Sequence, residues 1–137
     1  MLYQGDLESI DYHNVAVFIK EHEHLLGVQA CNLTEINAES CKTEDEFLGA
    51  CAAASVLGTL QAGYTDFPYF EKTTEDIIKR EALIGVSVTG WMNNPMLFNP
   101  ELLKKGAEIV KSTNKLVAEV IGINQAARTT CVDICAL

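Results

Sequence analysis

No stretch of this sequence approaches the roughly 18 to 20 consecutive apolar residues that a helix needs to cross a bilayer, because glycine or charge interrupts each candidate. A soluble chain is the expectation. Basic runs are scarce too, none longer than the pairs Lys79-Arg80 and Lys104-Lys105, in a chain with 10 basic and 19 acidic side chains and a formal net charge of −9. Such a surface gains little from displacing phosphate counterions, so neither nucleic acid nor an anionic membrane is an expected partner. The N-terminus lacks a basic stretch followed by an apolar one and does not read as a signal peptide. Five cysteines (Cys31, Cys41, Cys51, Cys131, Cys135) are an odd number without a C-x-x-C pair, which fits neither a secreted disulfide framework nor a zinc ribbon. A cytoplasmic location is expected, with most thiols acting as small buried hydrophobes. G-x-G-x-x-G, Walker A and G-x-S-x-G sequences are absent, which leaves dinucleotide, P-loop and hydrolase readings without support. There is no internal repeat and no low-complexity linker.

What is present is one domain's worth of ordinary globular sequence: 137 residues, 48% hydrophobic and 21% charged. Residues 1–27 stand apart as a variant N-terminal segment. They hold all three histidines, and Lys20-Glu21-His22-Glu23-His24 reads as a solvated charged stretch, not as a metal site with His13. Within them His13 to Ile19 is rich in β-branched and aromatic residues, a strand signal.

Residues 28–137 carry the main pattern. Val28 to Asn37 reads as extended. Thr43-Glu44-Asp45-Glu46 is a capping box that opens a helix running to about Ala62. Its body is small-residue rich almost all round, so burial on several sides is expected. Tyr64 to Phe70 is an aromatic loop expected in the core, and Thr73 or Thr74 is expected to cap a short helix to about Ala82. Leu83 to Gly90 is a short apolar run with glycines at its shoulders, the pattern of a buried parallel strand. Asn99 and Pro100 open a third helix, with an apolar stripe through Leu103, Ala107, Val110, Leu116, Val117, Val120 and Ile121, and Gly122 as its stop. Ala127 to Leu137 reads as a last strand, where Cys131 and Cys135 would share a face about 13 Å apart, too far for a disulfide. The order β-α-α-β-α-β predicts an α/β fold with mainly parallel strands and right-handed crossovers.

On its residues alone Cys31 reads as a structural thiol opening a strand. Four blocks add more: C-N-L-T-E-I-N at 31–37, F-L-G-A-C-A-A-A-S-V-L-G-T-L-Q-A-G-Y-T-D-F at 47–67, R-E-A-L-I-G-V-S-V-T-G at 80–90 and A-R-T-T-C-V at 127–132. Together they resemble the large catalytic chain of ribonucleotide reductases, most closely the adenosylcobalamin-dependent class II type, from about Gly27 to Val132. The resemblance implies a contiguous part of a ten-stranded α/β barrel. In that family a cysteine thiyl radical abstracts the ribose 3′ hydrogen, and two further cysteines supply electrons and become a disulfide. Cys31 matches the member of the redox pair that opens the C-N-L strand.

Departures from the family are as informative. The radical cysteine belongs to an N-x-C-x-E motif, and the corresponding stretch here is Asn14-Val15-Ala16-Val17-Phe18. Asn14 alone matches; alanine has no thiol to form a radical and phenylalanine cannot accept a proton. After Val132 the family's K-P-x-G phosphate loop is replaced by Asp133-Ile134-Cys135-Ala136-Leu137. The expectation is a fragment or truncated relative of the reductase large chain, inactive alone. The alternative is a non-catalytic oligomeric assembly module derived from that barrel. Adenosylcobalamin and a nucleotide substrate belong to the intact family, and no cofactor is expected to bind this fragment tightly. The expected partners are further copies of the chain or complementary reductase fragments.

Overall fold

The computed structural model describes Val17 and residues 27–129. They form a mixed α/β unit around two parallel strands, β1 (Asn32–Asn37) and β2 (Ile84–Thr89), with Asn32 opposite Ile84 and Asn37 opposite Thr89. Parallel neighbours need a long crossover. Here it contains helices α1 (Glu44–Ala62) and α2 (Lys72–Glu81), and a third helix, α3 (Pro100–Ile121), follows β2. Short 3-10 turns at Ala38–Ser40, Trp91–Asn93 and Pro95–Phe98 cover the carboxyl ends of the strands.

The helix ends are fixed by local chemistry. Thr43 and Glu46 form the reciprocal capping box at the start of α1, satisfying amide donors that the helix leaves unpaired. Asn99 accepts from the Glu101 amide with Pro100 at the first helical position, and Gly122 closes α3 in the left-handed region at φ 74°.

Contacts between α1 and α3 rise together along both chains. Gly106 lies against Phe47 and Cys51, the Ser55 hydroxyl donates to the Val110 carbonyl at 2.8 Å, and Asn114 donates to Thr59 at 2.9 Å. The two helices are therefore parallel neighbours. They enclose one core with the sheet: Phe47, Cys51 and Ala54 of α1, Leu102 and Val110 of α3, and Ile36, Ile84 and Val86 of the strands. After α3 the chain returns to β2, where the Ile84 and Val86 amides donate to the Arg128 and Thr129 carbonyls at 3.3 and 3.2 Å. β1 occupies one edge of β2 and residues 128–129 the other.

Several expectations are corrected here. α1 is buried on one side only: Leu57 is 58% exposed and Leu60 is exposed as well, because the second layer covers a single flank of the helix. The α3 stripe departs from the expected one after Val110. Leu116 (64% exposed) and Val120 (84%) face outward, while Leu102, Gly106, Val110, Asn114 and Ala118 face α1, since close helix approach selects small residues over greasy ones. The aromatic loop is not core: Tyr69 is 97% exposed, and Tyr64, Phe67 and Phe70 form an edge-to-face surface cluster with centroids 5.9 Å apart. Neither Thr73 nor Thr74 caps α2. Glu71 stands at that position without a side-chain cap, and the Thr74 hydroxyl instead accepts from the Val28 amide. The extended segment from Val28 becomes strand only at Asn32, and 127–129 run beside β2 without forming a strand of their own. The expected strand at 13–19, the histidine cluster, and residues 130–137 of the last strand lie outside the described residues, Val17 excepted.

Candidate functional site

Cys31 sits immediately before β1 with its side chain exposed. Its backbone neighbours are pinned. The Val28 amide donates to Thr74 Oγ1 at 3.0 Å, Gln29 Nε2 donates to Glu81, and Asn32 donates through both its backbone N–H and its side-chain amide to the Leu83 carbonyl, each at 3.0 Å. Asn32 thus ties the residue after the thiol to the residue before β2. A cysteine held this way presents its sulfur from a rigid element.

Alternation along the strands separates two faces of the sheet. Thr34 donates to the Ala54 carbonyl of α1 at 3.2 Å, and Ile36, Ile84 and Val86 join the helix-side core, so even-numbered positions face the helices. Odd-numbered positions face the other way. Register pairs Leu33 with Gly85, Glu35 with Ser87 and Asn37 with Thr89 on that second face, and the Ser87 hydroxyl donates to Glu35 Oε1 at 3.4 Å. In the extended chain Cys31 shares the parity of Glu35 and Asn37. β2 alternates large apolar residues with small or polar ones and is buried from Ile84 to Ser87, which agrees with its reading as a buried parallel strand.

The other two described thiols differ in kind. Burial pushes Cys51 up to about 11 from an ordinary 9.0, with the nearby Cys41 adding to the effect, and burial followed by the Glu46 carboxylate raises Cys41. Both are poor nucleophiles at neutral pH. At the carboxyl end of the sheet the turns are tied by side-chain amides: Asn94 Nδ2 donates to the Ala38 and Cys41 carbonyls at 2.8 Å each, and Asn37 accepts from the Glu39 amide. Gly90 passes there at φ 73°, a left-handed conformation that favours glycine.

Of the site residues that the resemblance implies, Cys31 is the one among the described residues. Asn14, Ala16 and Phe18 of the motif stretch, and Cys131, Asp133 and Cys135, lie outside the described residues. Among the described residues no group of three or more His, Cys, Asp or Glu side chains could hold a metal ion, and no helix is long and apolar enough to cross a membrane. No protein-family model, curated protein or solved structure matches this chain.

Clefts indent the described surface in several places. One of about 240 Å³ lies where the helices end, beside Gly63, Lys79 and Asn124; one of about 340 Å³ lies between Lys111 and Arg128; and one of about 400 Å³ lies between β1 and the Ala50–Leu57 stretch of α1.

Proposed function

We propose that this chain is a fragment or truncated relative of a ribonucleotide reductase large chain, contributing a middle piece of the catalytic barrel and a redox thiol, Cys31. The observation that carries the reading is one-sided winding. β1, β2 and the 128–129 segment follow one another across the sheet in chain order, while α1 and α3 share a core on a single face of it. Closed α/β barrels are wound this way, whereas open doubly wound sheets carry helices on both faces. The four sequence blocks at 31–37, 47–67, 80–90 and 127–132 supply the family, and the thiol pinned at the start of β1 supplies the chemistry. There Cys31 gives electrons to the substrate and closes a disulfide with a second cysteine, which must approach to about 4.4–6.8 Å between Cα atoms.

These 137 residues lack the radical cysteine and the glutamate of the motif, so a polypeptide of this sequence alone is expected to form no deoxynucleotide with adenosylcobalamin and a dithiol reductant. The deciding experiment is the DNA sequence flanking this reading frame. An N-x-C-x-E motif on one side and a K-P-x-G loop on the other, in frame or in adjacent genes, supports the reading; unrelated sequence on both sides overturns it.

A second reading, a non-catalytic assembly module cut from such a barrel, is favoured by one specific observation. Among the described residues no strand pairs with the outer edge of β1, and beside that edge α1 exposes Leu57. Unpaired edges and apolar flanks drive association. A homodimer, a higher oligomer or a complex with complementary barrel pieces is expected, and a monomer in sedimentation at micromolar concentration would argue against it.

A further inference from the structure

Acidic side chains outnumber basic ones 19 to 10 in this chain, and along α2 each cation has a carboxylate: Lys72 pairs with Asp76, Lys79 with Glu75 and Arg80 with Glu81. Lys111 and Arg128 are placed differently. Both are exposed, neither forms an ion pair among the described residues, and both line the cleft of about 340 Å³ between α3 and the segment that returns to β2. Among the described residues no acidic side chain lines that cleft. Two like charges on one small cleft repel each other unless an anion lies between them. Their backbones are fixed. Lys111 sits in the middle of a 22-residue helix, and the segment bearing Arg128 is fastened through the Ala126 amide to Asn114, through the Ala127 amide to the Glu81 carbonyl, and through the Arg128 and Thr129 carbonyls to the amides of β2.

The donors select the anion. A guanidinium offers a planar fork and an ammonium a point charge with three donors, and together they match a doubly charged tetrahedral oxyanion, whereas one carboxylate would neutralise only one of them. Gln125 lines the same cleft and brings a neutral amide donor. The volume falls within the range of small-molecule sites. We propose that this cleft binds a phosphate dianion, free or as the ester group of a small molecule, with Arg128 and Lys111 neutralising its charge and Gln125 donating to a further oxygen. The site lies on the opposite edge of β2 from β1 and Cys31, and its contacts include none of residues 133–137, so it is independent of the reductase reading. No bond is made or broken.

The test uses the full chain, isotope-labelled, with glycerol 3-phosphate, inorganic phosphate and succinate as probes at constant ionic strength and backbone amide shifts as readout. Both phosphates are expected to give saturable shifts at Lys111, Gln125 and Arg128; tighter binding of glycerol 3-phosphate assigns an ester, and equal or tighter binding of inorganic phosphate assigns the free anion. Lys111→Gln and Arg128→Gln should each weaken binding about tenfold, the loss of a charge-assisted hydrogen bond. Lys115→Gln, one turn further along α3 and outside the cleft, should leave it within about twofold, because a screened distant charge contributes little. All three side chains are exposed, so the folded spectra are expected to persist outside the cleft. Succinate binding as tightly as the phosphates, an equal loss in Lys115→Gln, or no saturable shift in a folded chain overturns the site.

Discussion

The interface between α1 and α3 is held at its centre by a buried polar relay, and Asn114 is the member whose loss has the most specific consequences. Its Nδ2 donates to Thr59 Oγ1 at 2.9 Å, Thr59 donates onward to the Ser55 carbonyl at 2.7 Å, and its Oδ1 accepts from the Ala126 amide at 3.0 Å. Asn114 and Thr59 are fully buried and Ala126 nearly so. Truncation by Asn114→Ala leaves the Ala126 N–H without a partner, which costs about 1–3 kcal/mol, and removes a side-chain bond with a net contribution of about 1 kcal/mol. The expected destabilisation is about 2–4 kcal/mol, a large share of the 5–15 kcal/mol that holds a typical domain together. With a urea m-value of about 2 kcal/mol/M the unfolding midpoint should drop by about 1–2 M.

Hydrogen exchange makes the same test local. The Ala126 amide should lose protection in Asn114→Ala, and the Ile84 and Val86 amides should follow, because their acceptors, the Arg128 and Thr129 carbonyls, lie on the segment that Asn114 holds. A double cycle with Thr59→Val should show a coupling of roughly 0.5–3 kcal/mol. A loss of less than about 1 kcal/mol, or unchanged protection at Ala126, would refute the idea that this side chain fastens the returning segment to the sheet.

Other consequences are smaller but equally checkable. Gly49→Ala should stabilise by about 0.5–1 kcal/mol in thermal melts, since no atom lies within 4 Å of the new Cβ and alanine is the better helix former. Gly106→Ala should do the reverse by about 1–3 kcal/mol, because its Cβ would stand 3.1 Å from both Cys51 Sγ and Phe47 Cε1, and these buried side chains would have to shift within a packed core. Thr43→Ala should cost about 1 kcal/mol through loss of the capping box. A thiol-reactive probe near neutral pH, read by peptide mass, should label Cys31 well ahead of Cys41 and Cys51, and comparable labelling of Cys51 would contradict its burial. Because the folded state raises Cys51 from 9.0 to about 11, its contribution to stability is fully present below pH 9 and lost as pH rises toward 11, where the unfolded thiol ionises and the folded one does not. Cys51→Ser should flatten that alkaline decline.

Element positions were largely legible because caps and stops are local chemistry: Thr43 with Glu46, Asn99 with Pro100, and Gly122 each act through neighbours a few residues away. What failed to read out depends on the partner layer. Leu116 and Val120 look like core by hydrophobicity, but the surface that meets α1 is chosen by closeness, so Gly106, Asn114 and Ala118 occupy it. The aromatics from Tyr64 to Phe70 satisfy one another at the surface, which no pattern in that stretch distinguishes from burial. Of the candidate site, Cys31 was visible through its resemblance. Glu35 and Ser87 were not, because they meet only when β1 and β2 pair 52 residues apart in the chain.

That pairing bears on how the two functional readings differ. An assembly module needs only the outer edge of β1 and the exposed flank of α1, and it places no demand on the second face of the sheet. Such a module would tolerate Leu or Val at 35, 85, 87 and 89, which would give β-branched or aliphatic packing against whatever covers that face. A reductase barrel demands the opposite, since its interior must leave room for a polar substrate beside the thiol. Gly85, Ser87 and Thr89 on β2 alternate with Ile84, Val86 and Val88, so both demands are written into a single strand: packing toward the helices, hydrogen bonding away from them. Ser87→Val tests the first demand: association through the β1 edge should survive it, although the Glu35 carboxylate loses the hydroxyl that donates to it, and loss of association in a folded variant would refute an interface confined to that edge.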